Sequence, residues 1–343
     1  MEISKEQFLK VASKLELSDQ NAKALWKALE AAGAKDSSMS KLLYYFGAMI
    51  VISALTWFMS LGWMVFGGGG IFLISIVYMI MFGLVGAKLW RKEDLKTPAG
   101  LLITMAVCVT PLAIYGLETY LGVFPEDGID NYHSFYSAIK SSWIWMEIGT
   151  IVLGLVALRF YPFPFLTAPI FFAAWFLSMD IIPLLIGNGS TFEQKAWISL
   201  FFGLFFLLIA FAIDLKKRPQ YGFWGYLFGT ITFWGGLTCL CFGKGEIVLF
   251  LYLLINLSLI VLSIILKRKV LIIFGAIGAF SYFGHLAYDL FENSILFPFV
   301  LTFLGLVVIY LGILYQKNSE RIEKKILNFF PKGFKKLLPF EAD

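Results

Sequence analysis

The chain has 343 residues, 59% of them hydrophobic, with a mean hydropathy of +0.80 and a net charge of +5. A water-facing globule of this composition would have too little polar surface to cover itself, so the solvent it calls for is lipid. Length alone suggests two soluble domains, but one membrane-embedded bundle replaces them, and basic residues clustered in short loops follow from insertion beside anionic lipid, so no nucleic-acid partner is expected.

The N-terminus, MEISKEQFLK, lacks the apolar stretch and small-residue cleavage site of a signal peptide, so the first membrane helix is expected to direct insertion. Ser4 and Gln7 form a capping box ahead of Phe8, Val11, Ala12 and Leu15, which recur at helical spacing. A second helix is predicted from Ser18, with Ala22, Leu25, Trp26 and Leu29 on one face, ending at Gly33. Residues 1–40 thus read as a cytoplasmic helical hairpin. It is too small to bury a core alone, so its apolar stripe packs on the membrane domain, on a second copy in a homo-oligomer, or on a partner.

Residues 41–316 form an all-α, polytopic bundle of about ten spans, each near the roughly 20 apolar residues that cross about 30 Å of hydrocarbon. The spans lie near Leu42 to Phe66, Gly69 to Trp90, Pro98 to Leu121, Ser142 to Arg159 and Phe163 to Leu185, then Ala196 to Leu215, Gly222 to Phe242, Gly245 to Leu266, Val270 to Leu290 and Ile295 to Tyr315. With this threading, all of the 28 Lys and Arg residues except Lys140, Lys195 and Lys244 fall on one side. The positive-inside rule then places both termini in the cytoplasm and the protein in the inner membrane.

Gly67 to Gly70 closes the first hairpin as a tight turn needing unusual backbone angles. The longest outer loop, Pro125 to Ser141, is either a solvated connector or a cover for an outward cavity. Residues 317–343 form a basic amphipathic tail. Ile322, Ile326, Phe329 and Phe330 lie opposite Arg321, Lys324 and Lys325, and Lys335 and Lys336 repeat the mixture, so the tail is expected on anionic headgroups at the cytoplasmic face.

Charges in hydrocarbon cost at least about 2.5–3.5 kcal/mol near a helix centre, so those retained there are functional candidates. Glu147 lies inside the fourth span and Asp180 inside the fifth, and the short turn at Tyr161 to Pro164 makes these spans antiparallel neighbours. Their carboxyl groups can therefore meet, and a pair that meets shares a proton. The alternative is that each is satisfied by a nearby hydroxyl, Thr150 or Ser178. Pro183 loosens the helix after Asp180, as at transporter sites, although Pro111, Pro169 and Pro298 interrupt spans with no charge beside them.

His285 and Asp289 are four apart on one face of the ninth span, and Glu118 ends the third span on the same side. Together these residues predict an outward-side acidic and histidine site for a cation or protonatable solute. A local hydrogen-bonded pair and a solvated helix end are the plainer alternatives. The ligand spacing of a metal site is missing, the three cysteines sit in apolar runs, and no HExxH, GxSxG or Walker motif occurs, so neither cofactor nor metal is expected. Gly225 with Gly229, and Gly275 with Ala279, are small-xxx-small pairs that predict close helix packing.

The segment ISKEQFLKVASKLELSDQNAKALWKALEAAG running into KLLYYFGAMIVISALTWF resembles the start of bacterial predicted integral membrane proteins of unknown function. The segment KRKVLIIFGAIGAFSYFGHLAYDLF followed by VLTFLGLVVIYLGILYQK resembles their closing helix pair. The resemblance implies a multispanning inner-membrane protein and carries no catalytic residue. A transporter or flippase for a small or lipid-like solute is the first functional expectation. An intramembrane enzyme using the acidic and histidine groups, and a scaffold or sensor acting through the hairpin, are the others.

The topology is checked by single-cysteine labelling in sealed cells. Ser134→Cys, beside His133, should react with an impermeant reagent and Ser319→Cys should not; reaction at the second site overturns the orientation.

Overall fold

The computed structural model describes residues 18–34, 38–123, 132–181 and 191–286, with Phe8, Ala12 and scattered helical positions between 298 and 318. Regular structure among them is helical throughout: α1 (Asp19–Ala34), α2 (Ser38–Trp90), α3 (Lys96–Cys108), α4 (Thr110–Tyr120) and α5 (Tyr132–Phe160), then α6 (Thr167–Asp180), α7 (Phe192–Leu215), α8 (Pro219–Cys241), α9 (Glu246–Leu266) and α10 (Lys269–His285). Asp289, Pro183 and the tail residues Arg321, Lys324, Lys325, Lys335 and Lys336 lie outside the described residues.

Five helical stretches are long and apolar enough to cross a membrane: Val65–Trp90, Glu93–Tyr120, Trp143–Phe160, Phe192–Leu215 and Glu246–Leu266. They suit a multi-pass membrane protein. Glu93–Tyr120 is 61% buried while Trp143–Phe160 is only 17% buried, so the former is a central rod and the latter faces outward along most of its surface. Exposed Leu, Ile and Phe side chains, such as Leu84, Leu208 and Phe280, cover that outer surface. Such a coat is stable only against lipid.

At the N-terminus, Ser18 Oγ accepts the Asn21 N–H at 3.4 Å and marks the start of α1. The Phe8 and Trp26 rings lie 5.2 Å apart, and Ala12 and Ala22 are buried, so part of the hairpin's apolar stripe closes on itself. The helix α2 changes direction at Gly67, whose φ of 59° is in the left-handed region that glycine tolerates. A straight helix would separate Ala48 from Phe82 by about 50 Å at 1.5 Å per residue. Both belong to one cluster with Leu101, Met105 and Val109, so the chain doubles back there.

Two readings are corrected. The connection before the fourth span, expected as a loop from Pro125 to Ser141, is helical from Tyr132, where α5 begins. Pro111 does break the third span, as expected: it opens α4, since it has no N–H to continue the ladder of α3. Pro169, by contrast, stands in the first turn of α6, where a missing N–H costs little.

The second half of the bundle packs along glycine seams. On α7 and α8, a Cβ at Gly236 would lie 2.6 Å from Ala196 O, one at Gly229 would lie 3.0 Å from Leu207 N, and one at Gly203 would overlap the Phe233 backbone. Gly229 of the expected pair thus faces α7 directly, and Gly225 admits Ala210 and Phe171. Between α9 and α10, Gly275 of the expected pair sits at the contact, and Gly278 joins it. A Cβ on Gly275 would lie 2.7 Å from Asn256 O, and one on Gly278 would overlap the Asn256 side chain. Close backbone approach of this kind supplies the packing that hydrophobic exclusion cannot supply in lipid.

Asn256 cannot yield readily, because its amide donates to Tyr252 O at 2.8 Å and its Oδ1 accepts the Trp234 indole N–H at 3.1 Å. Gly278→Ala should therefore destabilise the bundle by about 1–3 kcal/mol, the range for overpacking a filled core. The melting temperature in detergent measures it; an unchanged value would mean that α9 and α10 slide apart freely.

Candidate functional site

The site is built on α5 and α6. The turn between them is fastened when the Tyr221 hydroxyl donates to Pro162 O at 2.8 Å, and Gly154 lets Ile170 approach, so the two helices run side by side. On α5, Trp143, Met146, Glu147 and Thr150 recur at i, i+3, i+4 and i+7 and face one cavity. Ala168, Phe172 and Phe176 do the same on α6; Leu101, Thr104 and Cys108 of α3 form the back wall, and Trp224 and Phe228 of α8 close a flank. The cavity is partly open and has a volume of about 430 Å³, within the roughly 300–1,000 Å³ common for small-molecule sites.

Its wall is apolar and aromatic, with one ionisable carboxyl group. Glu147 lines the cavity and is 7% exposed, and the carboxyl of Asp180 stands beside it within side-chain hydrogen-bonding range. The expected meeting of these residues therefore occurs. Two carboxyl groups can hydrogen-bond to each other only when one of them carries a proton.

The hydroxyl alternative has a specific obstacle. Thr150 donates to Met146 O at 2.6 Å and Ser178 donates to Trp175 O at 2.6 Å, so each spends its only proton on its own helix. Among the described residues, Glu147 Oε2 is buried with no hydrogen-bond donor in reach. A buried acceptor in that state is unusual enough to need a reason.

The other sequence candidates do not converge on this cavity. Glu118 is buried on α4, which packs between α2 and α5, and it is not part of the cavity wall. His285 Nε2 lies 3.0 Å from Glu246 Oε1 in the first turn of α9, and α10 packs chiefly on α8 and α9. Of the residues expected in one outward acidic and histidine cluster, Glu147 lines the cavity, Glu118 and His285 do not, and Asp289 lies outside the described residues. No group of three His, Cys, Asp or Glu side chains able to hold a metal occurs among the described residues.

Two polar clusters were missed. Asp214, fully buried at the end of α7, accepts from Arg268 Nε at 3.1 Å and Nη2 at 2.5 Å, while Nη2 also donates to Pro219 O at 2.8 Å. The guanidinium lies 5.0 Å above the Tyr226 ring. One arginine thereby ties the end of α7, the start of α8 and the turn before α10. The signal available was an acid ending an apolar run beside two basic turns, with Arg268 treated only as a topogenic charge. The other cluster joins Asn256, Trp234, Tyr252 and Thr238, whose hydroxyl lies 3.1 Å from the Tyr252 hydroxyl.

No protein-family model, curated protein or solved structure matches this chain.

Asp214→Asn should be strongly destabilising, because it leaves Arg268 against a neutral amide in a buried site. Breaking such a pair costs about 3–5 kcal/mol, and the 14% exposure of the Arg268 side chain puts the expectation at the lower end. Adding Arg268→Gln should recover part of the loss in a thermal melt. A double variant no better than the single one would show that the pair is not the unit.

Proposed function

We propose that this protein is an inner-membrane transporter or flippase for a small or lipid-like solute, with ten spans and both termini cytoplasmic. In this reading it belongs with the bacterial multispanning proteins of unknown function that its two ends resemble, and its basic tail lies on anionic headgroups. The observation that carries the reading is Glu147: a carboxyl group 7% exposed, partnered by another acid, on the wall of an apolar cavity of about 430 Å³. Retaining two acids in hydrocarbon costs stability that a purely structural bundle has no reason to lose. A solute or proton that visits the pair supplies the reason.

The cavity extends along α5 and α6. Phe165 and Trp224 border it near the turns that carry Arg159 and Arg218, while Trp143, well inside α5, and Phe176, in the last turns of α6, border it farther along. The intramembrane-enzyme reading required the histidine and the acids in one cavity, and His285 pairs elsewhere.

A native thiol tests the reading. Cys108 borders the cavity and is exposed to it, although Val107 and Val109 beside it are buried. With Cys239 and Cys241 replaced by Ala, a membrane-impermeant cationic thiosulfonate should modify Cys108 in right-side-out and in inside-out vesicles, as alternating access demands. Modification from one face only would end the transport reading. Glu147→Gln and Asp180→Asn should remove function and shift the balance between the two labelling rates, while expression and melting temperature stay near wild type, because the amides keep hydrogen bonding without the charge. Unchanged labelling in both variants would show that the acids are bystanders.

A further inference from the structure

We propose that the cavity selects a lipophilic organic monocation, an inference that rests on the transport reading of the same site and narrows it to a substrate class. The argument starts from what the wall can offer a ligand. Among the described residues it contains no Lys, Arg or His. Its two threonine hydroxyls are spent, since Thr104 donates to Gly100 O at 2.7 Å and Thr150 donates to Met146 O. The remaining side-chain N–H donors on the lining residues are the indoles of Trp143 and Trp224, which are neutral and monodentate. A phosphate, a carboxylate or a sugar would leave its water shell and find nothing equivalent, which excludes it by several orders of magnitude in affinity.

The same wall suits a cation. Glu147 belongs to the wall with a buried carboxyl oxygen, Oε2, that meets no donor among the described residues, and the aromatic rings that line the same space offer electron density to a diffuse positive charge. The rings are held in place by one another. Phe172 and Phe228 have centroids 5.7 Å apart, Trp224 and Phe228 stack at 6.1 Å, and Trp175 stacks on Phe228 at 5.6 Å from outside the wall. A box of rings fixed before binding loses little entropy when it is filled. A small hydrated cation such as sodium would need several oxygen ligands, and the wall supplies too few. A cation wrapped in apolar groups keeps no tight water shell and needs only one counter-charge.

The occupant is therefore a singly charged ion whose charge is shielded by hydrocarbon or aryl groups. Phe172 is 48% exposed and, with Trp224, provides the face such groups would slide past. Asp180 acts as a positioning residue, holding Glu147 toward the space.

Equilibrium binding of tetraphenylphosphonium to the purified full chain in lipid nanodiscs tests this, with tetraphenylborate as an anion of matching shape. The cation should bind at least about tenfold more tightly than the anion, and Glu147→Gln should remove most of that preference. Phe172→Leu, which keeps apolar bulk at an exposed position and loses the ring face, should weaken the cation severalfold and leave the anion unchanged. Bound cation should also slow thiol modification of Cys108. Equal binding of both ions, or a preference that survives Glu147→Gln, would overturn the cation assignment even where Cys108 still labels from both faces and the transport reading stands. One-sided labelling with cation binding intact would overturn transport and keep the binding site. No binding of either ion overturns the assignment outright.

Discussion

Hydrocarbon provides no water to satisfy a polar group, and most of this structure follows from that constraint. Backbone groups close inside helices. Side-chain hydroxyls return their proton to their own helix, as at Thr104, Thr150, Thr232 and Ser258. Asn256 is shared between a backbone carbonyl and an indole, and Asp214 is met by both nitrogens of an arginine fork. A few buried polar atoms among the described residues stand outside this pairing, Glu118 Oε2 and Glu147 Oε2 among them, and of these two carboxyl groups Glu147 is the one that lines the cavity.

Glycine seams recur through the bundle, between α2 and α4 at Gly68 and Gly116 as well as from α7 to α10, and the site lies where large side chains face one another instead. From α7 to α10, glycines let backbones approach until a single added carbon would collide. Little room for a ligand is left there. Around the cavity the facing side chains are large: Phe172 meets Phe176 edge to face, Phe165 meets Trp224 in the same way, and Trp143 stands on the same wall, where small residues would interdigitate. The remaining gap is the cavity. Its shape thus comes from which residues are too big to close it, while the glycine-packed helices give the frame against which it is held open.

A static bundle of this kind would gain stability by replacing Glu147 and Asp180 with apolar residues. The position of Glu147 on the wall with Asp180 behind it, together with a fastened turn at Pro162 and a three-helix tie at Arg268, separates a rigid frame from one chargeable face. Such a separation is what solute recognition in lipid needs: orientation from the frame, affinity from one polar group, and selectivity from the absence of any other.

The helical class and the run of apolar helices were legible in the residues, because hydropathy and helix rise depend only on local order along the chain. So was the meeting of Glu147 with Asp180: a turn too short for anything but antiparallel neighbours forces it. Contacts between helices distant in sequence were not legible. His285 lies 3.0 Å from Glu246, a contact between residues 39 apart that depends on α9 and α10 packing at Gly275 and Gly278, while Asp289 lies outside the described residues. Arg268 carried an obvious charge, but only the convergence of α7, α8 and the turn before α10 gave it Asp214. The spent hydroxyls of Thr150 and Ser178, which decide what a ligand can find, depend on rotamers that composition does not encode. Periodicity assigns each residue a face; which faces meet, and what remains unfilled between them, is decided by side-chain volume in three dimensions.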